Sequence, residues 1–186
     1  MKVLWYSLSA AFFLIGCSEP EPRRPVQQRS GSFFKASVER SKRILAQEEG
    51  LIQKLIDQDT AHQYMTSKNG FWYYYESRKD SSGYLPKTND ELILRYNVQS
   101  LAGDTIYSTE ELGTVLHAVD KSQLFPGLRN AVKLLQEGEK ATFIFPSAQA
   151  YGYKGDLQKI GPNLPLKSSV TLITIKKDSS NINFNL

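Results

Sequence analysis

The reactive side chains of this 186-residue chain are few, and their spacing rules out much of the chemistry such groups perform. Cys17 is the only cysteine, which excludes an internal disulfide framework and any cysteine-based metal cluster. His62 and His117 lie far apart in sequence, so a histidine-rich metal site is not expected, and His117 falls on a strand pattern that suits structure better than catalysis. Glu110-Glu111 and the pair Glu137 and Glu139 read as solvated charges. Of the ten tyrosines, spacing alone singles out none. Tyr96 sits on the inward face of an alternating segment, and Tyr151 lies in a loop between Ala150 and Gly152. A phenol offers a hydrogen-bond donor on an apolar body. Each of the two has a packing explanation beside a functional one. Neither a cofactor nor a metal is expected.

The composition is 40% hydrophobic, 11% aromatic and 23% charged, which excludes a mostly disordered chain and a polytopic membrane protein. The formal net charge of +4 is spread along the chain. The aromatic run Phe71–Tyr75 has no basic groove beside it, so nucleic acid is not an expected partner.

The address is in the first seventeen residues. Lys2 precedes an apolar run over Val3–Gly16, too short for a roughly 30 Å hydrocarbon core and suited to a signal peptide. Leu14-Ile15-Gly16-Cys17 resembles the lipobox of bacterial lipoproteins, cleaved before a cysteine that receives a diacylglycerol. Acyl chains contribute about 0.8 kcal/mol per buried CH₂. Cys17 is thus the expected lipidation site, with the mature protein in the cell envelope, outside the cytoplasm and facing the periplasm from the outer membrane.

The elements of the chain follow from periodicity. Residues 1–16 form the signal peptide, and 17–32, rich in Pro, Arg, Gln and Ser, form a tether. Over 33–60 the apolar residues Ile44, Leu51, Leu55 and Leu45, Ile52, Ile56 fall on a helical stripe with Ser37 as its cap. That helix can pack on its own chain or on a second copy; the oligomeric state stays open. Strands are expected at Phe71–Tyr75 and Glu91–Val98, the latter paired in a hairpin with Thr105–Tyr107. A helix over Gln123–Glu137, with Pro126 near its start and Gly138 after its end, precedes strands at Ala141–Phe145 and Val170–Ile175. The polar tail 177–186 reads as loose. One helix against an antiparallel sheet is an α+β architecture.

The order of segments over 70–176 resembles the FK506-binding-protein (FKBP) family of peptidyl-prolyl isomerases. The motifs run from Leu124-Phe125-Pro126-Gly127-Leu128 through Gly138-Glu139-Lys140 and Phe145-Pro146 to Ala150-Tyr151-Gly152, and then to Leu164-Pro165. With the lipobox and the preceding helix, the chain is similar to the gliding-motility-associated lipoprotein isomerases of Bacteroidota. The resemblance implies an antiparallel sheet wrapped on one helix, prolyl isomerase (rotamase) activity without a cofactor, and proline-containing segments of exported proteins as partners. It places the catalytic tyrosines at Tyr96 and Tyr151. The substrate-binding positions become Leu124, Phe125, Leu128, Leu164, Ile106, Tyr107, Val115 and Leu172. Leu128 stands where the family has Trp, Ile106, Val115 and Leu172 where it has aromatics, and Tyr107 where it has Asp. The pocket implied is apolar, poorer in aromatics and without a buried carboxylate. A non-catalytic chaperone or assembly lipoprotein of the same fold is the alternative.

Overall fold

In the computed structural model residues 31–79, 82–121 and 124–179 are described, with side chains from Phe34 onward. The signal segment, Cys17 and the tether to Ser30 lie outside these residues, as does the tail beyond Ser179. Residues from Ser37 onward form one compact unit, and the chain up to Ala36 is assigned to another.

Helix α1 spans Gly31–Gln58. It does not begin at Ser37, whose carbonyl accepts a hydrogen bond from the Ser41 hydroxyl four residues on, as an interior residue does. Its buried positions are Glu48 and Ile52, four apart and so on one face. Leu51, expected on the apolar stripe, is instead exposed. Since Glu48 and Ile52 are buried within a single chain, the helix packs in cis. Just past its end the Asp59 carboxylate gathers the Ala61 N–H, the His62 ring and the Tyr64 hydroxyl. The His62 ring stacks on Tyr74 with centroids 4.0 Å apart, which ties the helix end to the sheet.

The sheet has strands β1 (Met65–Thr66), β2 (Trp72–Ser77), β3 (Glu91–Tyr96), β4 (Val98–Ser100), β5 (Thr105–Tyr107), β6 (Val115–Ala118), β7 (Lys140–Phe145) and β8 (Leu166–Lys176). Their order is β1-β2-β7-β8-β3-β6, with β4 joined to β5 and β8. Every pairing is antiparallel, so the expected α+β architecture stands. On β3, Leu92, Leu94 and Tyr96 point inward and Ile93 and Arg95 outward, the expected period of two. On β8, Leu166, Ser168, Val170 and Leu172 are buried, with Leu172 opposite Leu94 and Val170 opposite Tyr96, and a register shift beside Ile93 and Leu94 carries the chain past Ile173. β7 is buried on both faces over Ala141–Phe145.

Three local expectations are corrected. The strand from Glu91 stops at Tyr96, because the Asn97 side-chain carbonyl accepts the Ser169 N–H and breaks the ladder. The hairpin is therefore β4 with β5, with Val98 opposite Tyr107. The domain helix, expected over Gln123–Glu137, is α3 over Pro126–Ala131 with a 3₁₀ turn at Val132–Leu134. Phe125 precedes a proline and is held extended at ψ 155°, which sets where the helix can begin. Glu139 is not a solvated charge. It is 2% exposed, and its carboxylate accepts the N–H groups of Lys79 and Gln136.

The start of the tail is docked rather than loose. The Asp178 N–H donates to Asp90, which also accepts from the Tyr84 hydroxyl and the Lys87 N–H. The Lys177 ammonium lies 4.4 Å from the Tyr84 ring centroid. One further helix, α2 (Thr109–Leu112), is capped by Ser108, whose hydroxyl accepts the Glu111 N–H.

Candidate functional site

All ten residues singled out as a pocket converge on one hydrophobic cluster. Tyr96, Phe125, Leu128 and Leu172 are part of it, and Ile106, Tyr107, Val115, Leu124, Tyr151 and Leu164 pack against it while keeping some exposure. The division follows from the elements that carry them. Tyr96 ends the inward row of β3, and Leu172 faces Leu94 across the register shift of β8. Leu128 lies on the buried side of α3. The partly exposed members come from β5, β6 and the loops.

Several residues of the same cluster were not singled out from the sequence. The Phe125 ring meets Phe145 edge-on at 5.2 Å and Tyr151 at 5.3 Å, and Phe145 in turn meets Phe71 at 5.3 Å and Phe143 at 6.0 Å. The alternation of Phe143 and Phe145 was a signal for two inward aromatics, but nothing in it pointed to Phe125. Gly127 makes the approach possible. A Cβ there would sit 2.4 Å from Phe145 Cδ1 and 2.7 Å from the Gln149 carbonyl oxygen, so only glycine lets α3 close on β7 and on the segment before Tyr151.

The polar part of the site is a group of phenols and one carboxylate. Burial pushes the Tyr96 hydroxyl up from its ordinary pKa. Burial, and then the neighbouring Tyr96, Asp156 and Tyr107, push Tyr151 up to about 12. Both therefore keep their protons at neutral pH. Among the described residues neither hydroxyl makes a hydrogen bond, so the Tyr151 O–H is a donor without an internal acceptor. Tyr107 is committed instead, donating to Asp156 Oδ2 at 2.5 Å. The other oxygen, Oδ1, accepts the N–H groups of Gln158 and Ile160, each at 2.8 Å. Burial alone would raise the Asp156 pKa. The Tyr107 hydroxyl and these N–H groups outweigh it and hold the carboxyl below the usual range.

The expectation of a pocket without a buried carboxylate thus needs an addition. A partly exposed carboxylate, Asp156, reaches Tyr107 from the loop after Tyr151. Only the folded chain places it opposite Tyr107. The Lys159 ammonium lies 4.8 Å from the Tyr107 ring centroid and pairs with Glu111 at 2.5 Å, so the same loop is held at a second point. His117 on β6 is fully buried and its pKa is pushed down, chiefly by burial, as suits a structural imidazole. Cys17, the expected lipidation site, lies outside the described residues. No group of metal-ligating side chains occurs among the described residues, and no described helix is long and apolar enough to cross a membrane.

Comparison with known proteins identifies the family of the domain. Residues 83–173 match the family described as FKBP-type peptidyl-prolyl cis-trans isomerase. The chain is 35% identical over 101 residues to a probable FKBP-type peptidyl-prolyl cis-trans isomerase, FkpA, of Neisseria meningitidis serogroup B, covering 54% of this chain and 37% of that protein. It is 30% identical over 96 residues to the outer membrane protein MIP of Legionella longbeachae, covering 52% of this chain and 41% of that one. The matched part is thus less than half the length of these curated relatives. Among solved structures, FkpA from Escherichia coli aligns with a TM-score of 0.58 at 21% identity, over 94% of this chain and 81% of that one. A peptidyl-prolyl cis-trans isomerase from Pseudomonas syringae pv. tomato aligns with the same TM-score and identity over 74% of this chain and 96% of its own. At that identity the two structures speak for the fold.

Proposed function

The chain carries a domain of the FKBP-type peptidyl-prolyl cis-trans isomerase family, and from that premise we propose that this protein is a lipid-anchored, extracytoplasmic prolyl isomerase that assists the folding of exported proteins. The observation that carries the reading is the unengaged Tyr151 hydroxyl, its ring beside Phe125 and packed against the cluster that includes Leu128 and Leu172.

Rotation about an X–Pro bond breaks amide resonance against a barrier of about 18–20 kcal/mol. The twisted amide has less charge separation than the planar one. An apolar surface therefore favours it over the ground state, which is differential binding of the transition state. In this chain Phe125, Leu128 and Leu172 would hold the proline ring, and Leu124 and Leu164 would flank it. The Tyr151 hydroxyl would donate to a peptide carbonyl and fix one side of the bond while the other turns. Tyr96, Ile106, Tyr107 and Val115 would wall the opposite side. No nucleophile is called for.

The envelope location is proposed from Leu14-Ile15-Gly16-Cys17, with the lipid on Cys17 as the membrane link. The name of the Legionella relative, an outer membrane protein, points the same way. Gliding-motility components are the client class suggested by the resemblance of the whole chain. A second reading is a non-catalytic chaperone or assembly lipoprotein. It is favoured by the aliphatic side chains at Ile106, Val115, Leu128 and Leu172.

The deciding experiment is a protease-coupled assay on a short peptide with an apolar residue before proline, using residues 18–186 produced without lipid. Acceleration that falls in Tyr151→Phe supports the isomerase. A folded protein that leaves the uncatalysed rate unchanged removes that reading and leaves the chaperone.

A further inference from the structure

We infer that Glu48, on helix α1, is a positioning residue for the loop that carries Tyr151, which makes the helix a working part of the site; the inference rests on the isomerase reading above. Ser147 opens the 3₁₀ turn Ser147–Gln149 directly after β7. Its N–H donates to Glu48 Oε2 and its hydroxyl to Glu48 Oε1, both at 2.7 Å, across 99 residues of sequence. Both carboxylate oxygens are thus spent on one residue, and both residues are buried, Glu48 at 5% and Ser147 at 3% exposure.

The latch sits four residues from the Tyr151 phenol. The turn it holds is closed by the Gln149 N–H to Pro146 and the Ala150 N–H to Ser147, each at 2.9 Å, and Tyr151 follows at once. Beside the latch, helix and loop are parted by a groove of about 490 Å³ lined by Arg40, Ile44, Ala148, Tyr153 and Asn163 together with the two latch residues. Packing does not fill that space, so the carboxylate fixes the turn where side-chain contact does not. Glu48 forms no ion pair among the described residues. A buried carboxylate without a counter-ion is a costly way to gain stability alone. Its two short, charge-assisted bonds are a specific way to set geometry.

The test uses the full chain as wild type, Glu48→Gln, Ser147→Ala, the double variant, and Ile52→Ala as a control buried on the same helix. Gln keeps the volume but turns one acceptor into a donor. Turnover is measured well below every unfolding temperature, and amide exchange is followed over residues 147–153. Glu48→Gln and Ser147→Ala should each lower kcat/KM by on the order of tenfold, a displacement effect at one remove from the chemistry. The double variant should be no worse than either, because one contact is lost in all three. Exchange over 147–153 should speed up while β8 keeps its protection. Ile52→Ala should lower the melting temperature and leave kcat/KM unchanged. Unchanged kcat/KM in Glu48→Gln, or unchanged exchange over 147–153, overturns the inference. If wild type itself shows no turnover, the isomerase reading fails, and the exchange data alone decide whether Glu48 holds the loop.

Discussion

The Tyr107 hydroxyl and the Asp156 carboxylate, 49 residues apart, meet at 2.5 Å and join strand β5 to the loop that follows Tyr151. The loop is turned back on itself by its own bonds, Asn163 N–H to the Gly152 carbonyl and Asp156 N–H to that of Ile160. Gly155, at φ +68°, makes the turn sterically possible, since a Cβ there would lie 2.0 Å from the Ile160 oxygen. With Lys159 near the Tyr107 ring and paired with Glu111, the contact is a clasp that holds this loop to β5 and α2.

Tyr107→Phe keeps the ring and its Lys159 contact and removes only the donor. It should cost about 1 kcal/mol of stability and loosen the loop. Asp156→Ala should cost more, because the Gln158 and Ile160 N–H groups lose their acceptor as well. Urea denaturation gives the ranking, and equal losses in the two variants would contradict the double role of Asp156.

The clasp has a pH signature. The Asp156 carboxyl is held below its ordinary range in the folded chain, so its contribution is complete above the unfolded value of about 3.9 and is lost as pH falls through the lower folded value. Loop protection should therefore be flat from neutrality to about pH 5 and fall only at lower pH. Tyr151, raised to about 12, is the opposite case. Its contribution is complete below the unfolded value of about 10 and declines as pH rises towards 12. A titration of phenolate absorbance should lose a high-pH component in Tyr151→Phe. Loss of an ordinary component near pH 10 would mean the phenol is more open to water than this fold places it.

Gly127→Ala tests close packing beneath the site. The new methyl would meet Phe145 and the Gln149 carbonyl, and overpacking of this kind costs about 1–3 kcal/mol. A calorimetric melt should show the loss, whereas a neutral substitution would mean α3 can move away from β7.

Tyr151→Phe and Leu172→Ala should separate chemistry from packing. The first deletes one hydroxyl without an internal partner, so stability should hold while kcat/KM falls about tenfold, the worth of one net hydrogen bond of 1–1.5 kcal/mol. The second empties a fully buried position and should cost about 2–5 kcal/mol of stability. A Tyr151→Phe protein with full turnover would remove the hydroxyl from the proposed mechanism.

By itself the sequence determined what short-range physics controls. The alternation of Leu92, Leu94 and Tyr96 specified an inward face, and Pro126 marked the start of helix α3. The run from Leu124 to Gly152 carries the family resemblance, and Leu124, Phe125, Leu128 and Tyr151 within it lie in or against the hydrophobic core. Helix length was overestimated, because Phe125 before proline stays extended and the chain leaves helical geometry at Leu135. What only the tertiary structure decided are the pairings made across long sequence separations: Tyr107 with Asp156, Phe125 with Phe145, and Glu48 with Ser147. Periodicity reports which way a side chain faces, but a hydrogen bond between distant segments depends on how strands and loops are brought together in space. That assembly follows from burial of the whole core, and no local pattern at Glu48 or Asp156 records it.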